Sequence, residues 1–124
     1  MFHIHVGYDN QSVETSLNMI KMMDIYLGLP SIVKDRDERR RSLYGKAGCF
    51  RLTPYGFEYR VLSSAMMATP ELVEFVYNQT MKAIDAFNEG KIELTEKLQK
   101  EVRSAIDSGN VEAAEALIKK YDIV

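Results

Sequence analysis

Gly48-Cys49-Phe50-Arg51-Leu52-Thr53-Pro54-Tyr55-Gly56-Phe57-Glu58-Tyr59-Arg60-Val61-Leu62-Ser63 reads as two strands around a turn. Gly48 to Thr53 is the first strand, Pro54-Tyr55-Gly56 the turn and Phe57 to Ser63 the second. The Pro-x-Gly turn between them predicts an antiparallel hairpin. Successive side chains on a strand point to opposite faces. In the second strand Phe57, Tyr59 and Val61 therefore share one face, and Glu58 and Arg60 share the other.

Upstream, Phe2 to Val6 alternates apolar and polar residues and predicts a short strand. Phe2, Ile4 and Val6 point one way, His3 and His5 the other, and Gly7-Tyr8-Asp9-Asn10 reads as a turn. A helix is expected from Ser12 to Leu27, with Val13, Leu17, Ile20 and Asp24 on one spacing line. Ser12 fits its N-cap, Gly28 its C′ position and Pro30 its stop. Met19, Met22 and Met23 on this helix read as core filler rather than as metal ligands. Residues 31–48 show no clean periodicity. Asp35 to Arg41 is a charge run, and Gly45 and Gly48 bracket Lys46. We expect a long loop here, and loops of this length in a small domain are commonly functional.

Downstream the chain reads as helical. Thr69-Pro70-Glu71 supplies an N-cap, a proline at N1 and an acid in the first turn, which starts a helix from 70 to 88. Leu72, Val76, Ile84 and Phe87 form its expected buried face. A second helix is expected from Ile92 to Ser108, and a third carries Val111, Ala114, Leu117 and Ile118. These last two read as an appended α-hairpin without chemistry of its own. The fold class is α+β: a small curved antiparallel sheet, one helix between its first two strands, and C-terminal helices. We expect residues 1–67, with the strands, to form the core that carries the candidate chemistry, and 68–124 a helical segment of the same domain.

A chain of 124 residues is one domain's worth. With 46% hydrophobic and 27% charged residues it is neither disordered nor collagenous. The one cysteine excludes an internal disulfide and suits a reducing compartment. No apolar run approaches the roughly 20 residues of a membrane span, and the N-terminus lacks the pattern of a signal peptide. We expect a cytoplasmic protein with no membrane partner. The net charge of −2 conceals a polarised chain: residues 1–33 carry −2, residues 34–60 carry +4, and residues 61–124 carry −4. The middle segment is where an anionic ligand would be held. A nucleic-acid binder is usually basic throughout, so no nucleic-acid partner is expected.

The residues with chemical capacity cluster between 3 and 64. His3 and His5, the only histidines, sit two apart on a strand. Their bases are then about 7 Å apart, and both can face one metal–nucleotide site. An isolated His-x-His is also compatible with a plain solvent-facing pair. Glu58 and Arg60 can hold a divalent cation and an anionic oxygen side by side, or form an ordinary cross-strand ion pair. The run Tyr44-Gly45-Lys46-Ala47-Gly48 lacks the spacing of a P-loop. Its small residues still let backbone amides approach phosphate, and Lys46 supplies a point charge.

The stretch Asp35-Arg36-Asp37-Glu38-Arg39-Arg40-Arg41-Ser42-Leu43-Tyr44-Gly45-Lys46-Ala47-Gly48-Cys49-Phe50-Arg51, followed by Pro54-Tyr55-Gly56-Phe57-Glu58-Tyr59-Arg60-Val61-Leu62-Ser63, resembles the signature of the phage-type amidoligases. These are COOH–NH2 ligases of the glutamine synthetase-like superfamily. The opening Phe2-His3-Ile4-His5-Val6-Gly7 resembles that family's His-x-His strand. The resemblance covers residues 2–64, and the helical remainder is compatible with it.

The resemblance implies an ATP- and Mg²⁺-dependent ligase that joins a carboxylate to an amine through an acyl-phosphate. It implies His3 and Glu58 as metal ligands, and His5, Arg41, Lys46, Gly45 and Gly48 as nucleotide contacts. Arg60 would hold the substrate carboxylate or the transferring phosphoryl group, and Lys46 and Arg51 would neutralise phosphate charge. Phosphoryl transfer is catalysed mainly by positioning and by cations on the charged oxygens, which agrees. The family's domain is about twice this length, so the resemblance implies the C-terminal part of a partial glutamine synthetase-like domain, acting as a fragment or split subunit. A homo-oligomer or a partner chain would supply missing strands. Two rivals stay open: a nucleotide- or anion-binding module without independent activity, and a metal-dependent phosphoesterase or nuclease using the histidines.

Overall fold

The strands on either side of Pro54 do form the hairpin. The structure is a computed structural model and describes residues 4–7, 12–34, 48, 50–54, 56–62 and 64–124. Its strands are β1 (Ile4–Gly7), β2 (Phe50–Thr53) and β3 (Gly56–Tyr59). Thr53 pairs with Gly56, so two residues connect β2 to β3. β1 pairs antiparallel with the other side of β3, giving an open sheet of order β1-β3-β2. Gly56 makes that packing possible. A Cβ there would stand 1.9 Å from the Val6 carbonyl oxygen of β1, so any other residue would push the strands apart. β3 ends at Tyr59, earlier than the alternation predicts. Val61 and Leu62 leave the ladder but stay buried in the core.

The first helix does not stop at Leu27. α1 (Val13–Met23) runs directly into a π-helical turn, Asp24–Gly28, and then into α2 (Leu29–Lys34). Ser12 caps the start as predicted, its Oγ accepting from the Thr15 amide at 3.0 Å. The expected stops fail for physical reasons. Ile25, Leu27, Leu29 and Ile32 are all buried in the core, so continued helix is repaid by apolar burial. Pro30 has no N–H to give the Tyr26 carbonyl four residues back. Gln79 Nε2 donates to that carbonyl instead, at 2.8 Å. Gly28 is required by close packing rather than by a helix end, because a Cβ there would lie 2.6 Å from Ile106 Cδ1 and 3.2 Å from Tyr59 Oη. Residues 31–34, read as the start of a loop, are the last turn of α2. The spacing line also needs correction: Val13 and Leu17 are exposed, whereas Met19, Ile20, Met22 and Met23 are buried as core filler.

A 3₁₀ turn at Ser64–Met67 leads to α3 (Pro70–Glu89), α4 (Glu96–Ser108) and α5 (Val111–Lys120). Thr69, Thr95 and Asn110 cap them through side-chain oxygens. Gly90 and Gly109 close α3 and α4 in the left-handed region, at φ 64° and 65°. α4 begins at Glu96 rather than Ile92 because Thr95 is its cap. The last two helices are not appended. α1 packs on α3, and α2 packs on both α5 and α4. Leu98, Val102, Ala105, Ile106, Ala114 and Leu117 thus belong to the same core as Phe57 and Tyr59. Among the described residues no helix is long and apolar enough to cross a membrane.

Candidate functional site

The two faces of β3 carry different chemistry. Phe57 and Tyr59 point into the helical core and are fully buried. Glu58, between them, faces the other way. It is 2% exposed, and it pairs across the ladder with His5 on one side and Arg51 on the other. Residues directly opposed in an antiparallel pair share a sheet face, so one transverse row holds the His5, Glu58 and Arg51 positions. Arg51 Nη2 and Nε both donate to Glu58 Oε2, at 2.6 and 3.0 Å. The Arg51 side chain is 64% exposed, so the pair has a buried acid end and a solvated basic end. Two residues along the same face of β2, the Thr53 hydroxyl is buried with no hydrogen-bond partner among the described residues.

This row suits an anionic, metal-bound ligand. Mg²⁺ is commonly held by one or two carboxylates, with phosphate oxygens and water filling the other positions. Glu58 offers one such oxygen donor, and the orphaned Thr53 hydroxyl offers a donor to a ligand oxygen. Among the described residues no three His, Cys, Asp or Glu side chains form a group that could hold a metal unaided.

The opposite face carries an acid that the sequence reading placed on a helix line but gave no role. Asp24, the first residue of the π-turn, is 4% exposed. Its Oδ1 accepts from Tyr59 Oη at 2.6 Å and from the Gly48 amide at 3.1 Å. Burial pushes its pKa up to about 7, against the lowering effects of those two hydrogen bonds and of Arg103. The signal was present in the sequence as an acid at the fourth position of a line otherwise occupied by Val13, Leu17 and Ile20. The π-turn itself left no such signal.

Of the residues singled out from sequence, Arg51, Glu58 and the backbone of His5 are brought into one row. Arg60 follows the end of β3 and is half-buried. Gly48 sits at the root of β2, at φ 70°, with its amide directed to Asp24. His3, Arg41, Gly45 and Lys46 lie outside the described residues.

The sequence matches the family described as phage phiEco32-like COOH-NH2 ligase-type 2 over residues 2–122. The match therefore extends through α3, α4 and α5, well beyond the signature between residues 2 and 64. No curated protein and no solved structure matches the chain. The hairpin that carries Arg51 and Glu58, the strand that carries His5, and the helices packed behind them all fall within the matched span, and the chain belongs to this family of carboxylate–amine ligases.

Proposed function

We propose that the chain forms an amide or isopeptide bond between a carboxylate and an amine, using ATP and Mg²⁺. The observation that carries this reading is the row of His5, Glu58 and Arg51 positions across β1, β3 and β2 in a member of a COOH–NH2 ligase family. When bound, ATP would supply the phosphoryl group that activates a carboxylate as an acyl-phosphate with release of ADP, and attack by an amine would form the amide with release of phosphate. Glu58, with His3, would hold Mg²⁺, while His5, Arg41, Lys46 and the backbone at Gly45 and Gly48 would hold the nucleotide.

The roles of the chain's own residues follow from charge. Arg51 fixes the Glu58 carboxylate through two hydrogen bonds to one oxygen, so that the acid keeps its orientation in a water-poor setting. The solvated remainder of the Arg51 guanidinium is available to phosphate oxygens. Arg60 would orient the substrate carboxylate, and Lys46 would neutralise charge on the transferring group. Preorganised cations of this kind are the main source of rate in phosphoryl transfer. An acyl-phosphate also needs water excluded. Among the described residues the sheet has three strands and is not closed, so the reading includes a second copy or a partner chain that completes the enclosure, with this chain acting as a fragment or split subunit.

The test is ADP release and hydroxamate formation by the purified chain with ATP, Mg²⁺, a panel of amino acids as carboxylates, and hydroxylamine as the amine. The ligase reading expects ADP only when carboxylate and amine are both present, with loss of turnover in Glu58→Gln. ATP binding with no carboxylate- and amine-dependent ADP would overturn it in favour of a nucleotide-binding module.

A further inference from the structure

On the core side of the sheet, a cavity of about 100 Å³ lies between α1, the root of β2 and α4. Its floor is Asp24 and its apolar wall includes Ile20, Phe50 and Val102. Gly48, Lys21, Gln99 and Arg103 line it as well. The cavity is separate from the Glu58 row, because Asp24 bonds to Tyr59 and Glu58 projects from the other side of the same strand.

The arrangement of charge in this cavity is specific. Both hydrogen bonds that Asp24 accepts among the described residues fall on Oδ1. Its Oδ2 stands 3.8 Å from the point where a Cβ would project from Gly48, and Arg103 Nη1 stands 3.7 Å from the same point. A carboxylate oxygen and a guanidinium nitrogen thus both lie within 4 Å of the space that the bare glycine leaves open. No ion pair joins Asp24 and Arg103, and the guanidinium acts on the carboxylate only through space. Oδ2 takes neither of the two hydrogen bonds and is not a sealed, unpartnered atom, so a ligand in the cavity that Asp24 lines can reach it.

We propose that this cavity is a binding site for a small free α-amino acid, whose ammonium meets Asp24 Oδ2 and whose carboxylate meets Arg103 and Lys21. Other ligand chemistries fit less well. A simple anion is repelled by the acid on the floor. A metal cation finds one carboxylate and two competing basic side chains. An alkylamine satisfies Asp24 but leaves the basic groups facing its apolar tail. A zwitterion answers both charges at once, and a cavity of about 100 Å³ limits its side chain to that of glycine, alanine or serine. An engineered apolar cavity of roughly 150 Å³ holds benzene, which sets the scale. The bound amino acid would join α1 to α4 across the root of β2, where Gly48 closes the signature segment.

The inference does not rest on the ligase reading, because binding is measured without ATP. Glycine and alanine are titrated into the full chain while backbone amide resonances and calorimetric heats are followed, with acetate and methylamine as separate halves of the ligand. The expected result is a saturable shift at Gly48, Gln99 and Arg103 with glycine or alanine, and at least tenfold weaker effects from either half. Charged hydrogen bonds of this kind carry roughly tenfold or more each in affinity, so Arg103→Gln and Asp24→Asn should each weaken glycine binding by that factor. Arg103 is exposed, so its variant will fold and decides the matter if Asp24→Asn does not. No saturable shift up to roughly 50 mM glycine or alanine, where even a weak site fills, would overturn the proposal. So would acetate binding as tightly as glycine, or unchanged glycine affinity in Arg103→Gln.

Discussion

Tyr59 Oη donates to Asp24 Oδ1 at 2.6 Å, joining the central strand of the sheet to the first residue of the π-turn. Both groups are buried, and the bare Gly28 lets the phenol approach the helix, since a Cβ there would lie 3.2 Å from Tyr59 Oη. Tyr59→Phe removes the donor and keeps the ring. We expect a loss of roughly 1–3 kcal/mol in urea unfolding, the usual range for removing a hydrogen bond to a buried acid that keeps its other donor. The Tyr59 hydrogen bond also lowers the Asp24 pKa, so that pKa should rise further in the variant. An unchanged carboxyl titration by NMR would show that the bond is not formed in solution.

Asp24 makes stability depend on pH in an unusual direction. Its folded pKa is about 7, against an ordinary value of 3.8, because burial disfavours the charged form. Between those values the folded carboxyl keeps a proton that the unfolded chain releases. The folded state then binds more protons, so stability falls as pH rises. The contribution is fully present below 3.8, is lost progressively up to about 7, and does not fall further above it. The slope from this group approaches about 1.4 kcal/mol per pH unit within the window. The groups that act on it are the Tyr59 hydroxyl, the Gly48 amide, Arg103 and Asp107, with Lys21 in the cavity lining. Asp24→Asn should flatten this component when urea midpoints are compared from pH 4 to pH 8. Parallel pH profiles for the two proteins would contradict it.

Gln79 holds the irregular helix in place from the side. Its Nε2 donates to the Tyr26 carbonyl at 2.8 Å and to the Ile123 carbonyl at 3.1 Å, so it fastens both the π-turn and the C-terminal end to α3. Gln79→Glu keeps the shape but cannot donate when ionised, and it buries a charge. It should cost more than Gln79→Leu, which we expect to cost roughly 2 kcal/mol or more from the two orphaned acceptors. If urea unfolding ranks the two variants the other way, donation to these carbonyls is not what the side chain contributes.

The Arg51–Glu58 pair separates structural from functional effects. Arg51→Met removes the Arg51 cation from a 2% exposed carboxylate. Because the arginine end is largely solvated, we expect a loss of roughly 1–3 kcal/mol, below that of a fully buried pair. The double variant Arg51→Met/Glu58→Gln should regain part of that stability, since the substituted side chain carries no charge for Arg51 to balance. Additive losses in a double-mutant cycle would mean that the two side chains do not interact.

Much of this architecture was legible because it follows from local rules. The Pro-x-Gly turn, the alternation around Glu58 and the caps at Ser12 and Thr69 each declare themselves within a few residues. The failures are tertiary. Gly28 and Pro30 carry the chemistry of a helix end, and only Ile106, Tyr59 and Gln79, distant in sequence, make them helix interior. The face that Glu58 occupies was visible as period two, whereas its alignment with His5 and Arg51 needed the strand pairings and the two-residue register of the turn. Asp24 was visible only as a misplaced acid, because its significance comes from Gly48, Tyr59 and Arg103, on three other parts of the fold.

The final prediction concerns association. Among the described residues β1 is an edge strand, and its Ile4 and Val6 line one groove with Val73, Tyr77 and Met81 of α3. Tyr77 is 65% exposed, and Val73 and Met81 are exposed as well. An edge strand beside an exposed apolar helix face is a template for further pairing. Antiparallel pairing of β1 with β1 of a second copy would extend the sheet and cover both groove walls across a two-fold axis. Sedimentation of the purified chain should then show a concentration-dependent dimer, and Tyr77→Lys should shift it to monomer without changing the far-ultraviolet circular dichroism. Run beside the ligase assay, the same variant should lose amine-dependent ADP release if the enclosed site needs the second copy. A wild-type monomer at all concentrations that still releases ADP in a carboxylate- and amine-dependent way would sink the need for a second copy while leaving the ligase chemistry standing.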